Sequence, residues 1–160
     1  MVSTSPARQM AVRLTSILAL LLAMVGAYTG FATFQQDLAF TTLQTELSFW
    51  GRDNYQPEPR TIKRTGQRID VLLQKAPGHP DYRGLQATCG AWQAYWASDR
   101  DGRASLSQRA VQSQYAALES RPAHRHSWLK MVEYASRTRN GEALRLEAQA
   151  RLKALQSNEI

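Results

Sequence analysis

An uncharged, apolar run from Leu14 to Phe34 constrains this chain more than any other feature in it. About 20 such residues suffice to cross a bilayer as a helix. The polar members of the run are Thr15, Ser16, Thr29 and Thr33, whose hydroxyls can bond back to carbonyls of the preceding turn. Arg8 and Arg13 precede the run, and Asp37 and Glu46 come after it. Basic flanks resist translocation, so residues 1–13 are expected in the cytoplasm and everything after Phe34 outside it.

Two readings fit the run. In one, residues 14–34 are an uncleaved signal anchor, with Tyr28, Phe31 and Phe34 near the outer interface, where aromatic rings are favoured. In the other, Leu14–Met24 is the core of a signal peptide that is cut after Val25-Gly26-Ala27. Such a core needs only ~7–15 apolar residues. Here apolar character continues through Tyr28, Gly30, Phe31 and Phe34, which favours the anchor.

The chain beyond Phe34 has the size of one domain, able to bury a modest core but no large enclosed cavity. The whole chain carries a net charge of +7. Without Arg8 and Arg13 the 20 basic residues become 18 against 13 acidic ones, so the exported part is near +5. A basic surface attracts nucleic acid, anionic headgroups or acidic polymers, or simply maintains solubility. Export argues against nucleic acid. The single cysteine, Cys89, cannot form the paired disulfides that staple small secreted domains. It is either a small buried side chain or the site of an intermolecular bridge.

The periodicity is helical throughout. Phe40, Leu43, Leu47 and Trp50 continue a helical face beyond the membrane run until Gly51, and 52–60, with Pro57 and Pro59, reads as an extended loop. We therefore expect a membrane-proximal helix and loop over 35–60 and a helical domain over 61–160. Ile62, Gly66, Ile69, Leu72, Leu73 and Ala76 make one stripe, which Pro77-Gly78 stops. Tyr82, Leu85, Cys89, Trp92 and Trp96 make the next. Ser98–Gly102 reads as a turn, and Ser105 with Gln108 as a capping box opening the next helix, which Pro122 ends. Trp128, Met131, Val132 and Ala135 mark another helix, and an Ala/Leu-rich helix after Asn140-Gly141 completes the chain. No strand-like alternation is visible.

Two parts of this region resemble each other. Leu72-Leu73, Ala76-Pro77 and His79 are matched by Ala117-Leu118, Arg121-Pro122 and His124, displaced by 45 residues. Helix, proline turn, helix at that period indicates stacked helical hairpins. From Pro122 onward, Trp128, Tyr134, Gly141, Glu142-Ala143 and Leu155 resemble the helix-contact positions of a degenerate tetratricopeptide repeat. The expected fold is therefore all-α: one transmembrane helix, then a small tetratricopeptide-like hairpin domain, with a plain helical bundle as the alternative.

No Ser/His/Asp set, paired carboxylates, phosphate loop or cysteine-rich metal motif is present, so neither an enzyme nor a cofactor is expected. His124 and His126 are two apart, whereas a metal pair on one helix face is typically four apart; their protonation would make this corner more basic at mildly acidic pH. Trp92 and Trp96 share the Tyr82 stripe and read as core. Tyr95 lies off it and is the candidate contact residue, with Trp128 as a second groove residue. Arg121, Arg125, Lys130, Arg137 and Arg139 surround the 122–140 helix. They form either a rim for an anionic partner or a solvated face.

Three segments carry a family resemblance: Phe49-Trp50-Gly51-Arg52 with Asn54-Tyr55-Gln56-Pro57; Ala76 to Tyr82; and Ala91-Trp92-Gln93-Ala94-Tyr95-Trp96. Together they resemble the small single-span proteins encoded with exopolysaccharide synthesis machinery, the VpsP type, over nearly the whole chain. The resemblance implies an accessory protein in the inner membrane, N-terminus inside, with a periplasmic helical domain that contacts polysaccharide synthesis or export proteins. The alternatives are direct binding of an anionic glycan, or a tetratricopeptide-like subunit of another envelope assembly such as cytochrome maturation, secretion or division. The resemblance transfers no catalytic residues.

Overall fold

The structure, a computed structural model, describes residues 6–157. The side chains of Arg8 and Arg13, on which the expected orientation rests, lie outside the described residues. Six α-helices and a single 3-10 turn are described, and no strand. The expected all-α class is observed. The first helix, α1, spans Pro6–Phe49. From Leu14 to Phe31 every side chain on it is exposed, and the helix is long and apolar enough to cross a membrane. Thr29 Oγ1 donates to the Val25 carbonyl at 3.0 Å and Thr33 Oγ1 to the Thr29 carbonyl at 3.0 Å, so these hydroxyls are satisfied within the helix. The chain separates into two compact units, one ending at Ala39 and the other beginning at Phe40.

The second unit is larger than the 61–160 domain expected from the sequence, because residues 40–60 are built into it. Leu43, Leu47 and Trp50 are buried, realising the stripe that Phe40 begins. Phe40 packs on Tyr82 with ring centroids 5.8 Å apart, and Trp50 sits edge-on to Trp92 at 6.0 Å. Glu46 accepts from Thr65 Oγ1 at 2.7 Å and from Arg68 Nη1 at 3.1 Å. Gly51 ends the helix with φ +81°, a conformation that costs glycine nothing. The turn Arg52–Asn54 comes next, and the extended link after it carries the buried Pro57.

The remaining helices are α2 (Pro59–Lys75), α3 (Pro80–Trp96), α4 (Arg100–Ser120), α5 (Arg125–Ala135) and α6 (Glu142–Ser157). Each packs on the next in sequence. In α2 the buried residues are Ile62, Thr65, Ile69, Leu72 and Leu73: the predicted stripe holds at Ile62, Ile69, Leu72 and Leu73, Gly66 and Ala76 are only partly buried, and Thr65 joins through its hydrogen bond to Glu46. A cluster of Ala87, Val111, Leu118, Trp128, Met131, Tyr134 and Ala148 joins α3, α4, α5 and α6. Gln114 is buried too, its Nε2 donating to the Ser127 carbonyl at 3.0 Å across the α4–α5 pair.

Two details differ from the sequence reading. The start of α4 is capped not by Ser105 but by Asp99, whose carboxylate accepts from the Gly102 N–H; Ser105 lies one turn inside the helix. An aspartate binds an unpaired first-turn N–H at least as well as a serine, and the helix begins at the earlier of the two caps. Trp96 is 41% exposed rather than core. It is the last residue of α3, where the buried positions are the small Cys89 and Ala94, and Trp92, also read as core, is only partly buried.

The internal repeat is visible in the backbone. Ala76 and Arg121, ending α2 and α4, have φ/ψ of −143/79° and −140/66°. His79 and His124, opening α3 and α5, have −69/117° and −78/95°. In each turn the histidine N–H donates to the Ala76 or Arg121 carbonyl at 3.1 Å. The two proline turns are thus copies of one structure displaced by 45 residues.

Candidate functional site

The aromatic segment of α3 and one face of α5 converge on a cleft. Ala91, Trp92 and Tyr95 form a row on α3 at helical spacing, as do Lys130, Glu133 and Arg137 on α5 and just beyond its end. These rows, with Leu47 and Trp50 from α1 and Asn54 and Gln56 from the turn after it, line a space of ≈ 390 Å³. It adjoins a second space of ≈ 640 Å³ bounded by Ala94, Arg103 and Ser107. Ala91, Tyr95, Tyr134 and Arg137 belong to both.

The aromatic wall is a chain of edge-on contacts. Trp50 meets Trp92 at 6.0 Å, Trp92 meets Tyr95 at 5.6 Å, and Tyr95 meets Trp96 at 5.7 Å. Edge-to-face pairs at such distances are favourable beyond their buried area. They fix the rings while leaving Tyr95 52% exposed. Gly51 makes room for this wall, since a Cβ there would stand 3.3 Å from Trp92. Opposite, Glu133 accepts from Lys130 at 3.1 Å and from Arg137 at 3.0 Å. Two cations share one carboxylate, so this side keeps a net positive charge, to which Arg103 adds. Lys130 Nζ also lies 5.9 Å from the Tyr134 ring centroid. The Tyr134 hydroxyl, 3.0 Å from Thr88 Oγ1, has its pKa pushed up to about 12, chiefly by burial. It is a structural hydrogen-bonding group at neutral pH. The site can hold a partner by ring contact on one side and by positive charge on the other.

The candidate residues therefore divide. Tyr95, Lys130 and Arg137 come together. Trp128 does not join them: it is 5% exposed and packs in the α3–α6 cluster, its indole N–H donating to the Pro122 carbonyl at 2.7 Å. Its spacing from Met131 and Ala135 was the signal of a core face. Arg121 is engaged elsewhere, donating to both carboxylate oxygens of Asp81 at 2.6 and 2.8 Å and so joining the two proline turns. Arg125 and Arg139 are exposed and line neither space. Trp50, Asn54, Gln56 and Arg103 enter the cleft without having been singled out by sequence. Of these, Trp50 next to Gly51 carried the one local signal, a large ring beside a residue that permits close approach.

The histidine pair is a surface feature. His124 Nδ1 lies 2.8 Å from Ser127 Oγ. Burial and the nearby Lys130 lower the His126 pKa, so it charges only in more acidic solution than an ordinary histidine. Among the described residues no group of three metal-ligating side chains occurs. Cys89 is buried, its thiol directed at the Ile62 carbonyl at 3.5 Å.

Compared with known protein families, curated proteins and solved structures, the chain shows no match.

Proposed function

We propose that this chain is a membrane-anchored accessory protein of the bacterial inner membrane, acting without catalysis as a scaffold for polysaccharide synthesis or export. The observation that carries the reading is an apolar helix exposed on every face, joined in the same chain to a small helical-hairpin unit with an aromatic, cationic cleft. An anchor confines such a cleft to the membrane surface, which raises its effective concentration toward membrane-embedded partners. Apolar character that continues past Ala27 through Tyr28, Phe31 and Phe34 supports retention over cleavage. The polysaccharide assignment rests on the sequence resemblance to the VpsP type.

The test is in-membrane crosslinking of the full-length, C-terminally tagged protein, with mass spectrometry of what co-purifies. Glycosyltransferases, a polymerase or export components are expected. Recovery of cytochrome-maturation, secretion or division proteins instead would assign the domain to another envelope assembly. A second reading, direct binding of an acidic glycan, is favoured by the half-exposed Tyr95 ring beside Arg103 and Arg137. It requires salt-sensitive binding of acidic polysaccharide that Tyr95→Ala weakens; binding that is absent at every salt concentration excludes it.

A further inference from the structure

We propose that a trough on the other side of α3 docks an extended, acidic polypeptide segment of a partner protein, independently of the aromatic cleft and of the polysaccharide reading. The row Gln86, Cys89, Gly90 and Gln93 is displaced by two positions from the row Thr88, Ala91, Trp92 and Tyr95 that faces the aromatic cleft. Two positions are about 200° around a helix, so α3 serves both sites with opposite faces. The trough has a volume of ≈ 540 Å³, with α3 as its floor and α2 and α4 as its walls.

Its chemistry matches a peptide backbone. Gln67, Gln86, Gln93 and Gln112 line it, and a side-chain amide offers the same donors and acceptor as a peptide group. Gln86 is oriented: its Oε1 accepts from Arg83 Nη1 at 3.2 Å and from Ser113 Oγ at 3.0 Å. Both of its N–H groups therefore have no protein partner among the described residues. Gly66 and Gly90 let the three helices that form the trough pack closely, since a Cβ on Gly66 would stand 3.2 Å from Gln93 Nε2 and one on Gly90 3.4 Å from the Ala110 Cβ. Positions i, i+4 and i+7 of a wall helix span about 10 Å, the length of about three extended residues.

Charge selects among backbones. Lys63, Arg83 and Arg109 line the trough against one acid, Asp70, and Lys63 and Arg109 have no ion pair among the described residues. Complementary charge steers association and excludes like-charged competitors. No aromatic ring lines the trough, so a sugar has no face to stack on, and the amide-rich lining suits an alkyl chain poorly.

The test uses the full-length protein in detergent micelles. Three fluorescein-labelled probes are titrated by fluorescence polarisation: a hexapeptide of alternating glutamate and serine, its lysine–serine counterpart, and a galacturonate hexamer. The acidic peptide is expected to bind and the basic one not. Arg109→Glu, an exposed position, should weaken the acidic peptide about tenfold, the effect of ~1.4 kcal/mol, with the far-UV spectrum unchanged. Gln112→Ala should weaken it severalfold, and Tyr95→Ala should leave it unchanged. The proposal is overturned if the acidic peptide fails to bind at millimolar concentration or binds Arg109→Glu as well as the parent. It is also overturned if the galacturonate competes for the trough with equal affinity. Tyr95→Ala separates this site from the aromatic cleft, so either can fail alone.

Discussion

At the scale of single residues, two glycines and two buried acids are the sharpest determinants. Gly141 is buried against the α5 end, where a Cβ would overlap the Ala135 carbonyl. Gly51 needs its positive φ and its contact with Trp92. Gly51→Ala should destabilise by about 1–2 kcal/mol, from left-handed strain and crowding. Gly141→Ala should cost more, because rigid backbone must move; urea unfolding measures both. The Cys89 thiol is pushed up to about 12 by burial, reinforced by the Asp70 and Glu46 carboxylates, and Tyr134 is raised to about 12 as well. The folded chain holds these protons more tightly than the unfolded one. Their contribution is complete below the ordinary thiol and phenol range and is lost as pH rises toward about 12. The urea midpoint should therefore fall in alkaline solution and fall less steeply in Tyr134→Phe, while a maleimide should label Cys89 at neutral pH only after denaturation. Gly51 was recognisable in sequence as a helix stop. That its missing side chain also makes room for Trp92 was not, because the two are far apart in the chain.

Helix ends and helix faces divide in the same way. Asp99 caps α4 and Ser105 does not, so Asp99→Ala should cost about 1 kcal/mol, whereas Ser105→Ala should be nearly neutral. Equal losses would return the helix start to Ser105. Trp128 and Tyr95 have opposite surroundings: Trp128→Ala should destabilise by about 3–5 kcal/mol, and Tyr95→Ala, which loses only exposed edge-on ring contacts, by about 1 kcal/mol. The stripes of α2 and α5 were legible because each buries one face at the helical period. The C-terminal end of α3 was not. There the small Ala94 is the buried residue, while Tyr95 and the last tryptophan lie exposed. Periodicity gives direction around an axis but not how far along that axis a neighbour reaches.

For the whole molecule, the compact unit begins at Phe40. A soluble fragment starting at residue 40 should unfold cooperatively. One starting at residue 61 should not, because it lacks Leu43, Leu47, Trp50 and the Glu46 carboxylate that joins α1 to α2. Circular dichroism melting of the two fragments decides the boundary. The full chain should remain with membranes through alkaline carbonate extraction; its release there would mean that the apolar helix does not span the bilayer.

The membrane-length helix, the all-α class and the repeated proline turns were determined by the sequence alone. Each depends on local or periodic properties: an unbroken apolar length, a 3.6-residue period, a proline that cannot continue a helix. Tertiary structure alone decided that Arg121 is neutralised, since it reaches Asp81 across forty positions of chain, and which rings are exposed. It also decided that the two faces of α3 become different sites, because the identity of a cleft depends on which helices flank it, and that depends on packing between residues distant in sequence.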